Sequence, residues 1–402
     1  MRKITTKCFS LILLNFIIQV NSLICNSTIP YSRCSKNSAC GCFPMAGADN
    51  VGICAFLWKF CSELVSCESS QECYKRDHIC VHHHRCNSYP VCYPLSMMNE
   101  TICPLQSNVS QQIKFNKWNQ FGRNIAGGNG KGSDLNQLSH PRGIFIDRNQ
   151  NIFIADSKND RIVQWKINEN KGKIVVDGNG NKTDQLNSPT DVIYDEENNS
   201  LIIAYSRNKR VIRWWNQNQQ EILIDNISCW SLTKDKFGFL YVSDTDKNEV
   251  RRWKIGEKGE GKLVAGGNGR GNRTDQLNSP RFIVVNDEQS IFVSDYNNHR
   301  VMKWEKDAKE GIVVAGGNRS GFYLNQLAFP QGIIVDDFGR IYVSDTYNHR
   351  IMRWYEGGKE GEIIVGGNGN GQQSNQLSYP QGLSFDLQGN LYVAEWENHR
   401  VQ

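Results

Sequence analysis

Histidines, repeated carboxylates and glycine-rich loops are the groups in this 402-residue chain whose types and spacing could do chemistry. A catalytic zinc needs about three N, O or S ligands converging on one ion. The C-terminal part of the chain offers His140, His299, His349 and His399. The last three recur in identical Asn-His-Arg triplets, Asn298 to Arg300, Asn348 to Arg350 and Asn398 to Arg400, so they read as repeat positions spaced apart. Asp156, Asp244, Asp295 and Asp345 could serve acid–base chemistry or calcium, but repetition again points to structure. Each is expected to close a turn by accepting backbone N–H groups, with the arginine five residues later packed nearby. Tyr205 with Arg210 and Asp244 with Glu249 show that neither partner is obligatory. The stretch GGNGKGSD, Gly127 to Asp134, suggests a phosphate loop but lacks the Gly-Lys-Ser/Thr ending. The same glycines recur at Gly266 to Gly271 and Gly366 to Gly371 without the lysine, as turns requiring positive backbone dihedrals would have them. No catalytic residue, metal ligand or cofactor is assigned.

These residues sit in a repeat. Pro330 to Gly367 holds four short β-branched and aromatic runs bounded by Gly, Asp, Asn or Pro, and Pro380 to Val401 falls into register with it. Four strands in about fifty residues make one propeller blade. Six inner-strand signatures begin at Pro141, Pro189, Cys229, Pro280, Pro330 and Pro380. Second strands end at Asp156, Tyr205, Asp244, Asp295, Asp345 and Glu395, and third strands carry Trp165, Trp214, Trp253, Trp304 and Trp354 as inter-blade packing. An outer strand, Arg123 to Gly128, precedes every inner strand, while the last repeat has none after it. Pairing these ends closes a six-bladed ring without an open sheet edge; the alternative is a larger ring completed by further repeats. Trp214 and Trp253 are roughly forty residues apart instead of about fifty, a repeat shortened between Asn226 and Trp230. Cys229 in that place reads as a small buried hydrophobe, the alternative being a thiol that pairs with another chain.

The expected class is therefore all-β, a six-bladed β-propeller over 117–402, preceded by a signal peptide (1–22), a disulfide-rich module (23–104) and a polar linker (105–116). Arg2, Lys3 and Lys7 precede an apolar run from Phe9 to Val20, too short to span a membrane. Secretion makes the even set Cys25, Cys34, Cys40, Cys42, Cys54, Cys61, Cys67, Cys73, Cys80, Cys86, Cys92 and Cys103 a disulfide framework. A zinc site with His78, His82, His83 and His84 lacks finger spacing. Even spacing of Cys61, Cys67, Cys73 and of Cys80, Cys86, Cys92 hints at duplication.

The Asn-His-Arg triplets after Val-Ser-Asp or Val-Ala-Glu, with the Gly-Ile-x-Val-Asp inner strand and Val-Ala-Gly-Gly outer strand, resemble the NHL-repeat family. Earlier triplets are degenerate: Asn159-Asp160-Arg161 and Asn208-Lys209-Arg210 keep arginine, and Asn248-Glu249-Val250 loses both His and Arg. The resemblance implies a six-bladed propeller and three kinds of activity: RNA binding, extracellular protein binding, or zinc-dependent amidating-lyase chemistry. A signal carrying Arg2, Lys3 and Lys7 takes three from the 46 basic residues, leaving 43 against 41 acidic, too balanced for a phosphate-tracking surface. A nucleic-acid partner is not expected. In the peptidyl-hydroxyglycine amidating lyase, metal-binding histidines occupy the start of inner strands. The matching positions here are Arg142, Thr190, Trp230, Arg281, Gln331 and Gln381. These six form the expected channel mouth, suited to an anionic or peptide-like ligand or simply filling and hydrating the channel. Sequons at Asn26, Asn99, Asn108, Asn181, Asn198, Asn226, Asn272 and Asn318 fit a secreted glycoprotein. The expected function is non-catalytic binding of an extracellular protein or other ligand; the alternative is a propeller enzyme acting at the channel mouth.

Overall fold

A computed structural model of the chain describes residues 24–26, 40–44, 51–56, 64–67, 73, 78–82, 90–94, 118–178, 187–215, 219–336 and 339–402. It divides into two compact units, Met1–Lys117 and Trp118–Gln402.

The first unit contains two three-stranded antiparallel sheets with the same order, the third strand lying between the first two or pairing with both. One comprises Ile24–Asn26, Cys40–Pro44 and Val51–Phe56; the other Val65–Ser66, His78–Val81 and Val91–Pro94. Disulfides join Cys67 to Cys80 and Cys73 to Cys92, and Cys42 is also disulfide-bonded. The thiols nearest a zinc reading are thereby consumed. Cys34, Cys61, Cys86 and Cys103 lie outside the described residues, as do His83 and His84, and for Cys25, Cys40 and Cys54 only the backbone is described. Phe43 and Tyr93, both fully buried, bring their rings to 4.8 Å and supply apolar filling beside the disulfides.

The second unit is a ring of six four-stranded antiparallel sheets. The inner strands are Pro141–Ile146, Pro189–Asp195, Cys229–Lys234, Pro280–Val285, Pro330–Val335 and Pro380–Phe385. Each packs on the next, and the last packs on the first. The second strands Ile291–Asp295 and Ile341–Asp345 are buried at every residue, and the others at all but at most their first. Blades cover them on both faces, so strict apolar–polar alternation gives way to largely apolar runs, five of which end in a carboxylate. Trp165, Trp304 and Trp354 are at most 2% exposed. Gly311 and Gly361 leave no room for a side chain, since a Cβ at either would lie 2.7 Å from the indole of Trp304 or Trp354.

The ring closes at six. Ala126–Gly127 pairs with Arg400–Val401 to complete the sheet begun by Pro380–Phe385 and Leu391–Glu395. Of the expected Arg123 to Gly128, Ala126–Gly127 is the part paired as a strand. Cys229 is fully buried between blades two and three, its thiol 3.1 Å from the Arg210 carbonyl, and burial pushes that thiol up to about 12. No helix among the described residues is long and apolar enough to cross a membrane.

Candidate functional site

In an antiparallel blade, the turn from second to third strand and the connection from outer strand to the next inner strand lie on the same face. That face carries the triplets, the glycine-rich connections and the inner-strand starts. Its framework is a repeated carboxylate clamp. In blade five, Asp345 accepts the Arg350 Nε–H at 2.7 Å, the Asn348 amide at 2.8 Å and the backbone N–H of Ala328 at 2.7 Å. Arg350 donates its remaining N–H groups to the carbonyls of Phe322, Tyr323 and Gln326, and so pins the incoming connection. Blades one, four and six repeat this with Asp156–Arg161, Asp295–Arg300 and Glu395–Arg400. The carboxylate thus takes its backbone N–H from the incoming connection and only a side-chain amide from its own turn, and its arginine is a direct hydrogen-bond partner. Burial pushes Asp156, Asp295, Asp345 and Glu395 above the ordinary carboxyl range, against the opposing pull of these donors.

Blade three departs from this. Asp244 accepts the N–H groups of Asp246 and Lys247 in its own turn, and the third strand opens at Glu249. The matching triplet is therefore Lys247-Asn248-Glu249, one residue earlier than the sequence alignment placed it. Asn248, in the left-handed conformation at φ 57°, occupies the histidine position.

The triplet histidines are seam latches. His299, His349 and His399 also adopt the left-handed conformation, which His, Asn and Asp tolerate better than most residues. Each Nδ1 accepts a backbone N–H from the next blade: Phe329 at 3.1 Å, Tyr379 at 3.2 Å and His140 at 3.2 Å. Asp160 and Asn248 do the same for Ser188 and Ser279 at 2.6 and 2.8 Å. Ligand atoms of His140, Glu397 and His399 lie within 4.8 Å of one another, the grouping nearest a metal site on this face. A neutral imidazole has one ring lone pair, and His399 spends it on the His140 N–H. Metal coordination there would break the seam. Burial, then His399, Lys131, Lys158 and Arg142, push His140 down to about 4. Burial also lowers His299, His349 and His399.

Each inner strand begins with a β-bulge that removes the residue after the first from the ladder. Bulges re-aim side chains, and here they present the six expected mouth residues. Arg142, from blade one, places its guanidinium carbon 4.4 Å from the ring centre of Trp230 in blade three. Arg281, from blade four, lies 3.5 Å from the same ring and 4.6 Å from that of Tyr296. No carboxylate pairs with either guanidinium among the described residues. The Nε atoms of both arginines, Trp230 Nε1 and Gln331 Oε1 are buried and have no hydrogen-bond partner there. Burial pushes both arginines down to about 10, and for Arg142 the charge of Arg281 adds to it. The remaining two positions are otherwise engaged. Thr190 donates to the carbonyls of Ala204 and Cys229 at 3.3 and 3.4 Å, and Gln381 to that of Tyr379 at 3.4 Å.

Around this centre runs an arc of rings that sequence reasoning missed. Tyr296 contacts Phe329 at 5.0 Å, Phe329 contacts Tyr347 at 4.7 Å, and Tyr347 contacts Tyr379 at 5.4 Å. Trp396 follows at 6.5 Å, and His140 lies 4.5 Å from Trp396. Also missed was Asp191, fully buried in blade two beside Gly143. It accepts from Ser231 Oγ at 2.6 Å and from the Leu232 N–H at 3.1 Å. Burial pushes its carboxyl up to about 7. Of the sequons, Asn226, Asn272 and Asn318 are exposed on connections of the same face, and Asn198 is exposed in an inner-to-second-strand turn at the opposite end. Asn99, Asn108 and Asn181 lie outside the described residues, and for Asn26 only the backbone is described.

Three segments, residues 277–304, 327–353 and 377–402, match the model of the NHL repeat. They fall in blades four, five and six of the closed ring, so the chain carries NHL repeats in a six-bladed propeller. No curated protein matches it. Among solved structures, a Bacteroides thetaiotaomicron protein of unknown function is 14% identical, with TM-score 0.56, covering 92% of this chain and 88% of its own. An auxiliary nutrient binding protein of Bacteroides thetaiotaomicron is 14% identical at TM-score 0.54, covering 70% and 74%. One from Bacteroides ovatus is 12% identical at TM-score 0.53, covering 70% and 76%. At these identities the likeness is one of fold.

Proposed function

We propose that this chain is a secreted glycoprotein whose propeller is a non-catalytic binding scaffold for an extracellular protein or other extracellular ligand. In this reading, residues 1–22 are a signal peptide, 23–104 a disulfide-rich module and 105–116 a linker. The ligand is held on the face bearing the glycine-rich connections and the channel mouth. One observation carries the reading: Arg142 and Arg281 are brought together on Trp230 with no compensating carboxylate among the described residues. Two buried like charges disfavour one another, and a bound anion relieves both. Glycans at Asn226, Asn272 and Asn318 would leave the connections into blades six and one, which carry no sequon, as the open approach. Two proteins of similar fold are named as auxiliary nutrient binding proteins, which supports a binding reading.

Native mass spectrometry of the full-length secreted protein, incubated with extracellular fluid at low ionic strength, tests this. The expected result is a stoichiometric, chemically unchanged adduct that high salt releases. Absence of any adduct overturns the reading. Conversion of the adduct during incubation would establish an enzyme instead.

A further inference from the structure

The unsatisfied atoms at the mouth define a ligand more narrowly than an anion. Arg142 Nε, Arg281 Nε and Trp230 Nε1 are donors without an acceptor, and Gln331 Oε1 is an acceptor without a donor. Gln331 is only 5% exposed, so solvent is a poor substitute for that missing donor. Buried polar groups left without a partner are destabilising. A ligand that satisfied them together would bring an acceptor anion and an N–H or O–H donor on one small frame. The guanidinium fork matches the planar carboxylate, and sulfate brings no donor for Gln331. Next to Arg281, Tyr296 opens the aromatic arc, which runs through Phe329 to Tyr347, itself half-exposed. This is an apolar wall for a ring or branched side chain.

We infer that the channel mouth binds an organic carboxylate with a hydrogen-bond donor on the neighbouring carbon and an apolar side chain: the head group shared by a peptide C-terminus and an α-hydroxy acid. The carboxylate lies between Arg142 and Arg281, its donor faces Gln331, and its side chain rests on Tyr296 and Tyr347. This rests on the binding reading above.

The test is calorimetric titration of the full-length chain with four probes: acetyl-glycyl-phenylalanine as the free acid, its C-terminal amide, the acid N-methylated at phenylalanine, and phenyllactate. The acid is expected to bind at least tenfold more tightly than the amide or the N-methylated acid. Arg281→Gln should abolish the preference for acid over amide. Gln331→Leu should abolish the preference for N–H over N-methyl while keeping that for acid. These two preferences separate recognition from misfolding, and thermal unfolding confirms that each variant folds. Phenyllactate binding as tightly as the peptide supports the inference with a free hydroxy acid as source; binding of the peptide acid alone supports it with a polypeptide end as source. Equal binding of acid and amide overturns it, as does displacement of the acid by inorganic phosphate at lower concentration. If none of the probes binds while an extracellular adduct still forms, the inference falls and the scaffold reading stands. If neither occurs, both fall.

Discussion

Blade three and blade five carry the same four strands, yet only one is clamped. In blade five, Arg350 joins a buried aspartate to three carbonyls of a long incoming connection. In blade three that connection is reduced to the few residues between Asp225 and Cys229, and Glu249 stands where the arginine would be. The two changes are one change. Without the carbonyls, an arginine there would have nothing to hold, and a buried guanidinium without acceptors is costly. Glu249 instead accepts from Arg251 at 2.6 Å, and Asp244 turns to its own turn N–H groups. In blade three, degeneracy of the repeat thus goes with a shortened connection.

The comparison can be broken most forcefully at the clamp. Arg350→Ala leaves Asp345 buried without its guanidinium and should cost about 3–5 kcal/mol in chemical denaturation. Glu249→Ala should cost about 1 kcal/mol, because Arg251 is partly exposed and keeps the carbonyls of Glu260 and Gly261. Equal losses would show that the clamp is not what distinguishes the blades.

Next in size is a pH effect at Asp191, beside the blade-three inner strand. Its folded pKa of about 7 lies above the unfolded value of about 3.9. As pH rises from about 4 to about 7, the unfolded chain releases this proton first, so the contribution of Asp191 to stability declines, by roughly 4 kcal/mol at most. Asp191→Asn should remove that decline, measured as the slope of unfolding free energy against pH. The seam histidines act oppositely. Their pKa values are lowered, so the unfolded chain gains protons first below about 6.5, and their contribution is lost on acidification. His349→Leu should cost about 1–3 kcal/mol at neutral pH by orphaning the Tyr379 N–H, and should weaken the acid slope. His349→Asn, copying Asn248 of blade three, should keep neutral stability and weaken the acid slope equally.

The smallest effect concerns serine. Ser344 donates to the Gln381 carbonyl of blade six at 2.7 Å, and Ser243 to that of Arg281 at 2.8 Å. Ser344→Ala should cost about 1 kcal/mol by thermal unfolding. A much larger loss would mean that the bulge itself had collapsed.

The blade count, strand order and ring closure were legible because each strand type recurs with its own punctuation. Pro opens the inner strand, a carboxylate ends the second and Trp marks the third. The clamp was half legible. Asp345 and Arg350 recur five residues apart, but the carbonyls they hold lie more than twenty residues earlier and belong to no particular side chain. The histidine latch was hidden for a related reason: what matters is an acceptor that tolerates the left-handed conformation, and His, Asp and Asn all qualify. Six mouth positions could be aligned, but the meeting of Arg142 and Arg281 on Trp230 depends on strand tilt and side-chain length, which periodicity does not encode. Asp191 carried no repeat signal, because a buried carboxyl matched to Ser231 is a solution local to one seam.

Ala126–Gly127 holds the ring shut through two residues facing two. Until they meet Arg400–Val401, the faces of blades one and six that will pack on each other have no partner. A ribosome delivers the first of these segments long before the second, so the nascent propeller must wait as an open crescent with apolar flanks exposed. Completing it brings together ends far apart in sequence, a slow, late step. That makes this seam the place where a chaperone would do the most good, and where a protease acting on the unfinished chain would do the most harm.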